Sequence, residues 1–122
     1  MKNFLSVICV FLTATLSFTV ASASTTLEYD AKCQYADAKK VLKYAGKCHF
    51  NWGVGMLSDP DNDSYERYIM TYPNGNEVWI YIYANGSATV NDIPAKSLST
   101  KNGYRKVITT QGEVFEFTKG SE

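Results

Sequence analysis

The sequence is poor in what catalysis usually requires. It has one histidine, His49, and three cysteines in 122 residues. No second histidine or free thiol is placed to join His49 as a metal ligand or in a nucleophilic pair. On the polar side of its strand, beside Lys47, it reads as a surface residue. There is no nucleophile elbow, no phosphate-cradling loop and no reactive thiol, so no enzyme and no cofactor are expected. Charge of one sign is also missing: twelve basic residues meet twelve acidic ones. Without a basic stripe, nucleic acid is not an expected partner. No window carries a helical apolar period, which points away from helices altogether.

The N-terminus has the features of an export signal. Lys2 precedes an apolar run over residues 4–20, and Ala21-Ser22-Ala23 is a small-x-small cleavage site. Residues 1–23 are therefore expected to be a signal peptide, and 24–122 one small domain in the periplasm. The apolar core is short for a membrane anchor, and Cys9 lies too deep within it for a lipoprotein, so no membrane contact is expected after cleavage. Loss of Lys2 leaves eleven basic against twelve acidic residues, a charge near −1. Cys33 and Cys48 then remain as an even pair in an oxidising compartment, where they should form a disulfide. A loop of that length contributes about 3 kcal/mol in the chain-entropy account.

Strand signals fill the rest. Asn74-Gly75 and Asn85-Gly86 bracket residues 77–84, a β-branched and aromatic run with an expected type I′ hairpin on each side. Residues 27–35 alternate, with Leu27, Tyr29, Ala31, Cys33 and Tyr35 on one face. Leu42, Tyr44, Gly46, Cys48, Phe50 and Trp52 form a second apolar row. The glycines, Pro60 and aspartates of 53–64 predict a long loop, and 94–100 reads as irregular. Further strands are expected over 65–72, 87–93, 104–110 and 113–119, with turns at Asn102-Gly103 and Gln111-Gly112. The sum is all-β: a small antiparallel barrel or sandwich of seven to eight strands, mostly a meander, with one disulfide.

Several motifs are weighed against plainer readings. Asp59-Pro60-Asp61-Asn62-Asp63 starts like a calcium loop, but the sixth position is Ser64 and the twelfth is Met70. A calcium loop needs Gly and Glu there, so a solvated acidic loop is the better reading and no metal is expected. Glu113 with Glu116, or Glu66 with Glu77, are the carboxylate pairs available for glycosidase chemistry, a role that any small β protein offers by chance. Trp79, Tyr81 and Tyr83 alternate with Val78, Ile80 and Ile82, so both faces of this strand are apolar. One face belongs in the core. The other predicts a homodimer interface, against the alternative that loops cover it.

The closing residues Phe115-Glu116-Phe117-Thr118-Lys119-Gly120-Ser121-Glu122 resemble the last motif of the bacterial periplasmic inhibitors of c-type lysozyme. That motif is an aromatic-rich strand ending in Thr-Lys-Gly with an acidic residue soon after. The family's Ser-Gly-rich loop ending in Tyr corresponds to residues 97–104. The family's tyrosine four residues before Thr-Lys-Gly is Val114 here. The chain as a whole also resembles periplasmic immunity proteins against peptidoglycan-hydrolysing, lysozyme-like type VI secretion effectors of Vibrio. Both resemblances imply a rigid β domain that occludes the cleft of a cell-wall hydrolase. They place Lys119 in the lysine role and Ser99 in the serine role. Tyr104, the acidic Asp59, Asp61 and Asp63, and an exposed Trp52 are the other expected partner contacts. A small-ligand-binding barrel and, less favoured, a small hydrolase are the alternatives.

Overall fold

The computed structural model describes residues 25–98, 100 and 103–120. The expected signal peptide, Ser99, Asn102 of the Asn102-Gly103 turn, and Glu122 lie outside them. Eight strands follow one another as an antiparallel meander: β1 (Thr25–Ala36), β2 (Leu42–Asp59), β3 (Asn62–Thr71), β4 (Glu77–Tyr83), β5 (Ser87–Val90), β6 (Ile93–Leu98), β7 (Tyr104–Thr109) and β8 (Val114–Thr118). β8 pairs back onto β1, with Cys33 opposite Phe117, so the sheet is a closed barrel and not a sandwich. Closure leaves no open edge to recruit another strand.

The period-two rows place the core. Phe50, Tyr68, Met70, Ile80, Val90, Val107 and Phe117 are fully buried and fill the interior, as an eight-stranded barrel allows. Burying each such side chain contributes about 1.5–3 kcal/mol, so two of them outweigh the disulfide. The Cys33–Cys48 bond is present, with Cα atoms 5.8 Å apart. Cys33 lies opposite Gly46 and Cys48 opposite Ala31, so the cysteines are diagonal neighbours on the inner face. On β4, Val78, Ile80 and Ile82 turn inward, which sends Trp79, Tyr81 and Tyr83 outward.

Three local expectations are corrected. Residues 53–64 are not a long loop: β2 runs on to Asp59, and only residues 60–61 turn before β3. Gly55 supports this pairing, because a Cβ there would lie 2.3 Å from the Tyr65 ring that crosses over it. What reads as a breaker is room for an aromatic on the neighbouring strand. Residues 94–100 are not irregular up to Leu98. Pro94 is the second residue of β6, and its carbonyl accepts the Thr110 N–H at 2.9 Å. The Asn-Gly turns are not type I′ either, since only Gly75 (φ 92°) and Gly86 (φ 90°) are left-handed. Gly75 N–H bonds Tyr72 O, and Tyr72 N–H bonds Asn76 O, the pattern of a type I turn closed by a left-handed glycine. Two consecutive left-handed residues, as type I′ requires, occur instead at Asn91 (φ 48°) and Asp92 (φ 69°), where a strand was expected to continue.

Candidate functional site at one end of the barrel

In a meander, alternate strands end on the same side. β2, β4, β6 and β8 therefore finish together, at Asp59, Tyr83, Leu98 and Thr118. This near end gathers all three segments that the sequence singled out: the acidic turn, the segment after β6 and Lys119. Cross-bonds tie it together. Asn62 Oδ1 accepts the Asn85 N–H at 3.0 Å, Gly86 O accepts the Ser97 N–H at 3.0 Å, and Gly103 O accepts the Lys119 N–H at 2.7 Å.

The β2–β3 hairpin reaches past its neighbours. β1 pairs with β2 as far as Val54, and β4 pairs with β3 from Tyr65 onward. Among the described residues, the tip between them is paired only with itself, apart from the Asn62 bond and one from Ala84 N–H to Ser64 O. It carries Asp59, Asp61 and Asp63, and also Met56 and Leu57, which are 77% and 39% exposed. The apolar pair went unnoticed in the sequence because the segment read as a loop. Among the described residues, no group of three or more metal-ligating side chains forms, here or elsewhere.

The Thr118-Lys119-Gly120 stretch is held on both sides of its lysine. Thr118 O accepts the Tyr29 hydroxyl at 3.1 Å, and Thr118 Oγ1 donates to Lys32 O at 3.2 Å. Gly120 N–H donates to the Tyr68 hydroxyl at 3.0 Å. Gly120 is buried against the Trp52 indole, where a Cβ would lie 2.4 Å from Cγ, so only glycine fits. Lys119 itself is exposed and forms no ion pair among the described residues. Tyr104 pairs across from Thr118 and is 39% exposed.

Trp52 is a correction. It is 7% exposed and belongs to the core, because it sits on the inward row of β2 with Phe50. Its Nε1 donates to Glu66 Oε1 at 3.3 Å. Glu66 also accepts the Tyr68 hydroxyl at 2.6 Å and an ion-pair bond from Arg105. Burial, and then the bond to Glu66, push the Tyr68 hydroxyl pKa well above its usual range, so the phenol stays protonated. Of this network, Glu66 and Arg105 line a cavity of about 400 Å³ in the near mouth. Parity was the signal for it: Glu66 lies two residues before Tyr68, and Arg105 two before Val107, on the inward rows.

The expected carboxylate pairs are not brought together. Glu66 faces the near mouth, whereas Glu77 starts β4 at the far end. Glu113 bonds Tyr35 at the far end, whereas Glu116 lies between the inward Phe115 and Phe117 and faces out. His49 is exposed, as expected, but is held by Asp30 at 2.7 Å and Glu28 at 2.8 Å. The bond to Asp30, and then that to Glu28, raise its pKa.

No protein-family model, curated protein or solved structure matches the chain. What the near end does is therefore argued from its own residues.

Proposed function

We propose that this chain is a periplasmic inhibitor, an immunity protein that occludes the active-site cleft of a peptidoglycan-degrading, lysozyme-like hydrolase. It is not itself an enzyme in this reading. The observation that carries the proposal is the near end: a hairpin tip that projects past its described neighbouring strands stands on the same side as an exposed lysine whose flanking backbone is fixed. A sugar-binding cleft is concave and acidic at its catalytic carboxylates. A projecting hairpin fits the shape, and the Lys119 ammonium fits the charge. Fixing the backbone before binding lowers the entropy lost on association. Asp59, Asp61 and Asp63 are placed to meet basic residues at the cleft rim.

The test is inhibition of a lysozyme-like muramidase at low and high salt. Lys119→Ala should weaken inhibition by roughly 2–5 kcal/mol, because the enzyme's carboxylate is left buried without a partner. Replacing Asp59, Asp61 and Asp63 together with Asn should act mainly on association rate and mainly at low salt. If neither variant changes inhibition, the near end is not the inhibitory surface.

A homodimer through the outer wall is a companion reading. Trp79 is 41% exposed, and Tyr81 and Tyr83 stand beside it with Tyr65, the ring centroids 5.6–6.4 Å apart. Such a patch supports an interface between copies. Trp79→Glu should lower the mass seen in light scattering; a wild type that is monomeric at high concentration ends the idea.

A further inference from the structure

The far mouth of the barrel, where β1, β3, β5 and β7 end, holds two adjoining cavities of about 380 and 360 Å³. They share Tyr35, Tyr72 and Asn76. The larger is walled by Tyr35, Tyr72 and Phe115 and carries Glu77 and Glu113. No basic side chain lines it, and neither carboxylate is in an ion pair among the described residues. The smaller does include Lys43, whose ammonium lies 3.8 Å from Asp37. Tyr44 meets Tyr72 edge to face at 5.2 Å and 79°, extending the aromatic wall.

The polar groups here are only partly used. Glu113 Oε2 accepts the Tyr35 hydroxyl at 3.0 Å, and Glu77 Oε1 accepts Trp79 Nε1 at 3.2 Å. The Tyr72 hydroxyl is buried and has no hydrogen-bond partner among the described residues. A buried polar group left unpaired is destabilising, so a ligand that pairs it gains from doing so. Burial pushes the Tyr72 pKa up to about 12, so the hydroxyl stays neutral and its oxygen is open as an acceptor. Behind this mouth the interior is packed with aromatics, so any ligand is confined to the mouth. The volumes fall within the range of small-molecule sites.

We propose that the larger far-mouth cavity binds a small organic ammonium ion, a primary amine. Its N–H groups go to Glu113, the Tyr72 hydroxyl and Asn76, and its alkyl part lies on Tyr35 and Phe115. Carboxylates give charge-assisted bonds to such a donor, and the aromatic walls shelter its alkyl part from water. The site lies at the opposite end from Lys119, so it stands or falls independently of the inhibitory reading.

The experiment is an NMR titration of the ¹⁵N-labelled protein with n-butylamine, using n-butanol as the uncharged probe of equal length. Saturable amide shifts confined to residues 34–36, 72–78, 90–92 and 110–115 are expected with the amine and not with the alcohol. Glu113→Gln keeps an acceptor for Tyr35 but removes the charge, and should weaken binding by about tenfold or more. Tyr72→Phe keeps the ring and removes only the free oxygen; it should weaken binding by several-fold, and it decides the matter if Glu113→Gln does not fold. Equal shifts with n-butanol, shifts that do not saturate, or wild-type affinity in the folded variants would overturn the proposal.

Discussion

The two mouths of the barrel are closed by similar hairpins but treat charge in opposite ways. At the near end, Glu66 and Arg105 cancel each other, and Trp52, Tyr68 and Gly120 join them in one network. At the far end, among the described residues, Glu77 and Glu113 have no cation, and the Tyr72 hydroxyl has no hydrogen-bond partner. The first end pairs its carboxylate with a guanidinium, although Arg105 Nε is buried without a hydrogen-bond partner among the described residues, and presents Lys119 and the hairpin tip outward. The second keeps its free groups in a cavity. A mouth of the first kind suits a large partner that meets a fixed surface; one of the second kind suits a small ligand that completes it.

The largest effect that would sharpen this contrast comes from Arg105→Ala. It leaves the Glu66 carboxylate half-buried without its cation. Both side chains keep some exposure, 26% and 21%, so the loss should be about 3 kcal/mol, the low end for a buried pair. Glu113→Gln at the far end removes no ion pair and should cost under about 1 kcal/mol. Urea unfolding measures both, and equal losses would erase the distinction. Next comes Gly120→Ala, whose Cβ would meet the Trp52 ring at 2.4 Å and should cost about 1–3 kcal/mol. It should also shift tryptophan fluorescence. Gly75→Ala at the far end meets nothing within 4 Å and carries only the strain of its positive φ, so the tryptophan signal should stay put.

The smallest effect belongs to the wall between the mouths. His49 is bound by two carboxylates, and its folded pKa is raised from 6.5. A raised histidine pKa adds stability that is fully present below 6.5 and is lost as pH rises through the folded value. Wild type should therefore exceed His49→Gln in thermal midpoint only on the acid side, while the carboxylates stay ionised above roughly pH 5. A difference that grows toward alkaline pH would contradict this assignment.

The strands and their inward rows were legible because alternation along residues 27–35 and 77–84 depends on nothing distant. Barrel closure was not, since a sandwich has the same alternation and only the β1–β8 pairing separates them. The β2–β3 hairpin was hidden because Gly55 has two meanings, a breaker or a seat for Tyr65, and the seat exists only once the strands pair. Trp52 was misjudged for a related reason: its row was read as apolar, yet the residue that closes over it is no neighbour in sequence. Gly120, which covers it, arrives 68 residues later in the chain. The near end was foreseen as three separate segments; that they converge follows from strand parity, which required the full strand count.

The β1–β8 seam separates this fold into local and distant work. Seven of its eight strand pairings join neighbours in sequence, and only Cys33–Phe117 and the pairs around it span most of the chain. Contacts between neighbours close cheaply, whereas the seam bears the entropy of the longest loop. Folding speed should then be set by zipping that one seam. A circular permutant that links the two chain ends of the barrel, both at the near end, and reopens it at residues 74–75 would turn the β1–β8 seam into one more hairpin and make β3–β4 the new seam, so the one long-range closure should move to those strands with the core unchanged.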